Sequence, residues 1–179
     1  SESLSVYTNS LTGKFEVIRG RKDLQAVAVG NFQVNVEGAG WNYLEIEATP
    51  QDDTMEKYLQ SMKAMGYVEG YLTWRQIEQY YPNYYQGMFD TEDPEPVDPD
   101  LRVQQYLLDN FKWMAEKSKL KCYESAHWLT VRGIVEQLEG LLDGFIDGRE
   151  EYQKIHGHIS KNDDDDDDGQ TSGGDTSST

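Results

Sequence analysis

Two glycines four residues apart inside a helical pattern constrain this chain more than any other feature. They are Gly66 and Gly70 in GYVEGYLTW, residues 66–74, following Met55, Leu59 and Met62 at helical spacing. Each glycine costs a helix interior about 1 kcal/mol relative to alanine, so packing must offset the loss. The spacing predicts a close helix crossing, where a missing side chain lets a second backbone approach; the same interval joins helices in membranes, but nothing around it here is membrane-like. LEGLL at 138–142 repeats the pattern of VEGYL at 68–72. The two helices are therefore expected to cross near Gly70 and Gly140, with Glu69 and Glu139 beside the contact. Were both acids buried, one would stay protonated at acidic pH; the plainer reading has them facing solvent or paired with a base such as Arg132.

The first fifty residues read as strands. VYTNSLTGKFEVIRG, LQAVAVGNFQVNVEG and WNYLEIEAT carry apolar residues at alternate positions, such as Phe15/Val17, Phe32/Val34/Val36 and Leu44/Ile46, and glycines punctuate them. Two or three antiparallel strands follow from this pattern. A helix then starts at TPQDDTMEKY, where Asp53 and Glu56 form a capping-box-like pair. DTEDPEPVDPDLR is a linker that opens a second helix, with Asp98 as cap, Pro99 at the first helical position, and Val103, Leu107, Phe111 and Met114 as its apolar stripe. A third begins around ESAHW and carries Trp128, Val131, Val135, Leu138, Leu142 and Phe145. Strands first and helices afterwards make an α+β chain. Two or three strands cannot cover three long helices, so the body looks incomplete.

Charge narrows the partners. The 179 residues hold 33 acids against 16 bases, a net charge of −17, which disfavours nucleic acid and anionic membrane surfaces. No apolar run approaches the roughly 20 residues that span a bilayer. The N-terminal SESLSVYTNS has no basic-then-apolar pattern, so a signal peptide is expected to have been removed or never present. No Asn-x-Ser/Thr acceptor occurs. From Ser160 the text becomes SKNDDDDDDGQTSGGDTSST, with no aliphatic or aromatic residue after Ile159, and is read as a disordered acidic tail over 160–179. That tail carries −6 of the charge, which leaves −11 on residues 1–159.

Individual reactive residues read mostly as structural. Ser1 with its free amine resembles an N-terminal nucleophile, but no glycine-supported strand places it in a site. Cys122 in KLKCYES stands beside lysines at 119 and 121, the kind of basic neighbours found around reactive thiols; without a paired histidine or acid it reads as buried or disulfide-bonded. His156 and His158 lack two further zinc ligands nearby. The aspartate run lacks the spacing and closing glutamate of a calcium loop. The tyrosines of EQYYPNYYQGMF, residues 78–89, either line a mouth for acyl chains or head groups or close a core over a helix end.

GWNYLEIEA (40–48), GYVEGYLT (66–73) and HWLTVRGIVEQLEGLLDGF (127–145), in that order, resemble the N-terminal part of the phospholipase B-like family, which includes lysosomal and secreted hydrolases and the lamina-ancestor proteins. The resemblance implies a four-layer αββα sandwich of the N-terminal-nucleophile hydrolase type, completed by a second chain. It implies a precursor that cuts itself and frees a cysteine at the start of the larger C-terminal chain. That cysteine attacks an ester or amide carbonyl, with its own α-amino group, pKa about 8, as base. This chain would be the N-terminal fragment: 1–159 as part of the αββα domain, and 160–179 as a linker tail near a processing site. No catalytic, cofactor-binding or metal-binding residue is then expected on it. Its partners would be the C-terminal chain of the same precursor and a phospholipid or acyl-amide substrate, in the lysosome or outside the cell. The activity implied is removal of fatty acyl groups from phospholipids. An amidase acting on N-acyl compounds, and a noncatalytic acidic binding or structural protein with the same fold, are the alternatives. The hexa-aspartate tract departs from the family pattern.

Overall fold

Alternating apolar residues at the start of the chain form four antiparallel strands, β1 (Glu2–Thr8), β2 (Phe15–Arg19), β3 (Ala28–Gln33) and β4 (Tyr43–Ala48), in the order β2-β1-β3-β4. The computed structural model describes residues 1–48, 52–88 and 98–157, with the backbone alone for 84–88, 98–100 and 156–157. Residues Ser1–Arg149 form one unit and Glu150–Thr179 a second. The strand count exceeds the two or three expected because VYTNSLTGKFEVIRG turns back on itself. Asn9 Oδ1 accepts the amides of Leu11 and Thr12 at 2.9 and 3.0 Å, and Gly13 closes the turn with φ +70°, a conformation that favours glycine. The alternation through Val34 and Val36 also misled: β3 ends at Gln33, and Val36–Ala39 is one helical turn, α1.

Register puts Leu4 opposite Gly30, Val6 opposite Ala28 and Val17, and Gly30 opposite Ile46, so these residues share one face. Helix α2 (Met55–Met88) lies on that face and buries Ala64, Tyr67, Val68, Tyr71 and Leu72 against Leu4, Val6, Ala28 and Phe32. Contact is tightest at Gly30, where a Cβ would sit 2.2 Å from Val68 Cγ1 and 2.9 Å from Leu72 Cδ1. The opposite face is polar along β4, with Glu45 and Glu47 exposed and Lys22 Nζ 3.4 Å from Glu47. No second sheet lies among the described residues. The expected cap of α2 moves one residue: Thr54, not Asp53, accepts the Lys57 amide on its side chain at 3.3 Å and the Tyr58 amide on its carbonyl at 3.0 Å, while Asp52 holds Thr54.

Helix α3 (Asp98–Lys121) opens where the linker predicted, and α4 (Ala126–Gly157) is capped by Ser125, whose Oγ accepts the Trp128 amide at 3.3 Å. The glycines bring α4 against α2. A Cβ on Gly66 would sit 1.9 Å from the carbonyl oxygen of Gln137, on Gly70 2.0 Å from that of Leu141, on Gly140 2.0 Å from that of Lys63, and on Gly144 2.1 Å from that of Tyr67. Residue numbers rise together along both helices, so α2 and α4 run parallel. Only glycine permits so near an approach of backbone to backbone. The crossing predicted from Gly70 and Gly140 is therefore present, although the two glycines meet different turns of the facing helix. The acids behave differently from the crossing expectation: Glu69 is half-buried, Glu139 is exposed, and Arg132 pairs with Glu136 instead. Glu139 precedes Gly140 by about 100° of helix rotation and is carried out of the contact.

The stripe read on α3 is largely open: Val103, Leu107 and Phe111 are exposed, while Trp113 meets Trp128 of α4 edge to face at 5.9 Å. On α4, Val135 is buried but Leu138 and Leu142 are exposed, because the glycine side of the helix packs in place of the leucine side. Within the second unit, Lys154 and Glu150 pair at 3.5 Å; the tail boundary at 160 lies outside the described residues.

Replacing Gly70 or Gly144 with leucine forces backbones apart, since no flexible side-chain end can yield. Overpacking costs about 1–3 kcal/mol where neighbours can shift, and these two sites are expected at or above the upper end by chemical denaturation, with Leu11→Ala in the exposed β1–β2 turn as the near-neutral control. An unchanged denaturation midpoint in Gly70→Leu would remove the seam.

Candidate functional site

The parallel alignment of α2 and α4 repeats a polar contact along the glycine seam. Lys63 Nζ lies 3.1 Å from Asp143, and one turn later the Tyr67 hydroxyl donates to Asp147 at 2.8 Å. Both pairs are separated by 80 residues, as helices advancing at the same rate require. Beside these pairs opens a groove of about 590 Å³, walled by the β1–β2 turn at Lys14 and Phe15, by α2 from Glu56 to Tyr67, and by α4 from Glu136 to Asp147. Its floor is apolar and aromatic: Phe15 and Tyr67 meet with ring centroids 5.1 Å apart, and Leu59 and Ile146 flank them. Four acids and two lysines line it, and Glu136 is held by Arg132. Among the described residues no serine, threonine, cysteine or histidine lines the groove. It can hold a small polar group; the hydroxyl among its described lining residues, that of Tyr67, is already donated to Asp147.

A second polar network lies on the other face of the sheet. Ser5 is buried, donates its hydroxyl to the Arg21 carbonyl at 2.6 Å and accepts the Asp23 amide at 2.9 Å. Tyr7 donates to Asp23 Oδ2 at 2.6 Å, and the Gln25 amide reaches Asp23 Oδ1 at 3.0 Å. These bonds tie the segment after β2 to β1. The Tyr7 hydrogen bond, helped by the Gln25 amide, holds the Asp23 carboxyl below its ordinary range, and the same bond pushes the Tyr7 hydroxyl up. With its bonding capacity met on both sides, Ser5 is a structural hydroxyl. The buried Ser61 and Ser118 likewise donate to helix carbonyls, of Lys57 and Ala115.

The residues singled out from sequence fall as follows. Cys122 is buried and unbridged, its thiol 3.6 Å from the Lys119 carbonyl, at the C-terminal end of α3. Ser1 is exposed ahead of β1. Tyr80 and Tyr81 are exposed, so they do not close a core; the rest of the 84–89 aromatic run, the side chain of His156, and His158 lie outside the described side chains. No group of three or more His, Cys, Asp or Glu side chains that could hold a metal occurs among the described residues. Sequence reading missed the groove altogether. Its signal was available as Lys63/Tyr67 and Asp143/Asp147, each pair spaced by four residues, but matching them requires knowing that the helices are parallel.

Asp23 has a depressed folded-state pKa, so its contribution to stability is present above the ordinary carboxylate range near pH 4 and is lost as pH falls through the lower folded value. Tyr7 has a raised pKa, so its contribution holds below about pH 10 and is lost as pH rises through the folded value. In Tyr7→Phe the Asp23 titration midpoint, followed by NMR of its side-chain carboxyl, should move up toward the ordinary value. A midpoint that stays put would show that the tyrosine does not set it.

Against this geometry stand the similarities to known proteins. A family model described as Phospholipase B matches residues 28–160. "Phospholipase B-like protein E" of Dictyostelium discoideum is 30% identical over 148 residues, covering 81% of this chain and 25% of that protein. "Phospholipase-B 81" of Drysdalia coronoides is 26% identical over 125 residues, 70% of this chain and 21% of that protein. "Phospholipase B-like 1" of Homo sapiens is 27% identical over 128 residues, 71% of this chain and 22% of that protein. The chain spans about a quarter of the length of the curated relatives it matches. It belongs to the phospholipase B family.

Proposed function

We propose that this chain is the N-terminal part of a phospholipase B-like hydrolase that removes fatty acyl groups from phospholipids. The match over residues 28–160, with relatives about four times as long as the part matched, carries the reading. The remainder of the longer protein then supplies the chemistry. A self-cleavage frees a cysteine at the start of the companion chain; its thiol attacks the ester carbonyl while the adjacent α-amino group takes the proton and passes it to the departing alcohol as the ester C–O bond breaks, and water then cleaves the thioester to the fatty acid and the free thiol. The strands and helices of this chain serve as scaffold within an αββα sandwich of the N-terminal-nucleophile type. An N-acyl amide presents the same carbonyl to the same nucleophile, so amide hydrolysis is the rival within the enzyme class. A noncatalytic acidic binding protein is the rival outside it. The lysosome or the extracellular space is the proposed location, in keeping with the absence from the described helices of any long and apolar enough to cross a membrane.

Denaturing electrophoresis with N-terminal sequencing of the full-length protein tests the processing. Two chains are expected, the larger beginning with cysteine; changing that cysteine to alanine should leave one uncut chain and reduce acyl release from phosphatidylcholine to background. A lone uncut polypeptide without acyl release would support the binding protein, and release from N-acyl amides alone would support the amidase.

A further inference from the structure

Helix α4 is apolar on two sides, and α2 covers only one of them. Its glycines face α2. Starting beside the glycine face and winding away from it, Ile134, Leu138, Leu142 and Ile146 follow at four-residue intervals and are 50%, 45%, 57% and 43% exposed, a row about 18 Å long at 1.5 Å per residue whose last member also borders the groove. Single exposed leucines are ordinary. Four in one row are the kind of ridge that fits between the side chains of another helix in the commonest class of helix packing, and a helix apolar on opposite sides belongs inside a larger body.

The rest of this chain has little with which to cover the row. Its undescribed segments, 49–51, 89–97 and 158–179, contain Phe89, Val97 and Ile159 as their only aliphatic or aromatic residues. A second copy is opposed by charge: the chain carries −17, and exposed Glu139 lies on the flank of the row, so a symmetric pairing would bring like charges together. The relatives are about four times as long as the part matched here, so most of the apolar surface of a full-length member lies beyond this chain.

We propose that the Ile134–Leu138–Leu142–Ile146 row is the docking surface for a helix from the remainder of the longer polypeptide. This rests on reading the chain as the N-terminal part of that protein, and it goes further by assigning the contact to α4. The open face of the sheet is a poorer apolar surface, with Glu45, Glu47 and Asn31 along it.

The test is labelling in the full-length protein. Leu138→Cys and Leu142→Cys, made singly, are exposed to a maleimide, and the rate at each site is read by peptide mass and compared with the same variant unfolded in guanidinium. Docking predicts at least a tenfold slower reaction in the folded protein at both sites; a smaller difference overturns it. Protection that vanishes on dilution through a dimer-to-monomer transition assigns the surface to a second copy and also overturns it. Hydroxyl-radical footprinting of Leu138 and Leu142 in the unsubstituted protein, judged by the same tenfold criterion, decides the matter where a variant fails to fold. Acyl release measured on the same preparation keeps the two readings apart. A labelled row with activity intact sinks the docking surface alone, and a protected row without activity sinks the proposed function alone.

Discussion

Backbone meets backbone where α2 runs beside α4, and the helical side of the molecule is arranged by that approach. Gly66 and Gly70 on one helix and Gly140 and Gly144 on the other each leave room for a carbonyl of the partner. Any side chain there would push the axes apart, and with them the polar pairs beside the seam. Lys63–Asp143 and Tyr67–Asp147 depend on the glycines in this sense. They lock the registry of two surfaces already in contact, the solvent-open Lys63–Asp143 pair contributing little by itself.

The seam also explains how one helix serves two purposes. The face of α2 that carries Val68 and Leu72 seals the sheet at Gly30, and the face that carries Gly66 and Gly70 receives α4. The third side borders the groove through Glu56 and Lys63. Glycine therefore appears twice as a device for close approach, once in the sheet and once between helices. In both places the missing side chain is replaced by the atoms of a neighbour, which offsets the entropy that glycine loses on ordering.

Much of this was legible in the residues, and the failures have physical causes. The glycine spacing announced the helix contact because few other roles justify two glycines in a helix interior. Its orientation was not legible, since 3.6-residue periodicity says which side packs and nothing about direction. Alternation found the strand region but missed the Asn9–Gly13 turn and overran at Val34 and Val36, where local hydrogen bonds in the α1 turn won. Asp53 lost the cap to Thr54 by one residue, a shift within the ordinary uncertainty of helix ends. Glu69 and Glu139 could be read from sequence either as buried beside the glycines or, more plainly, as facing solvent; Glu139 is exposed and Glu69 half-buried, since adjacency on a helix is a rotation of about 100°. Periodicity found the apolar stripes on α3 and α4 but says nothing of what covers them, and among the described residues several of those side chains are exposed.

The parallel pairing of α2 with α4 has a kinetic consequence. Partners across the seam are about 70 to 80 residues apart, so the contact closes a long loop and cannot form early by local search. The hairpins and the α2–sheet contact join segments nearer in sequence and can settle first. On a ribosome adding about 5–20 residues per second, α2 waits roughly 4–16 seconds for its partner with its glycine face uncovered. A helix weakened by two glycines is then held chiefly by the sheet beneath it, which makes the short Gly30 contact the feature that keeps the nascent chain in order until α4 emerges.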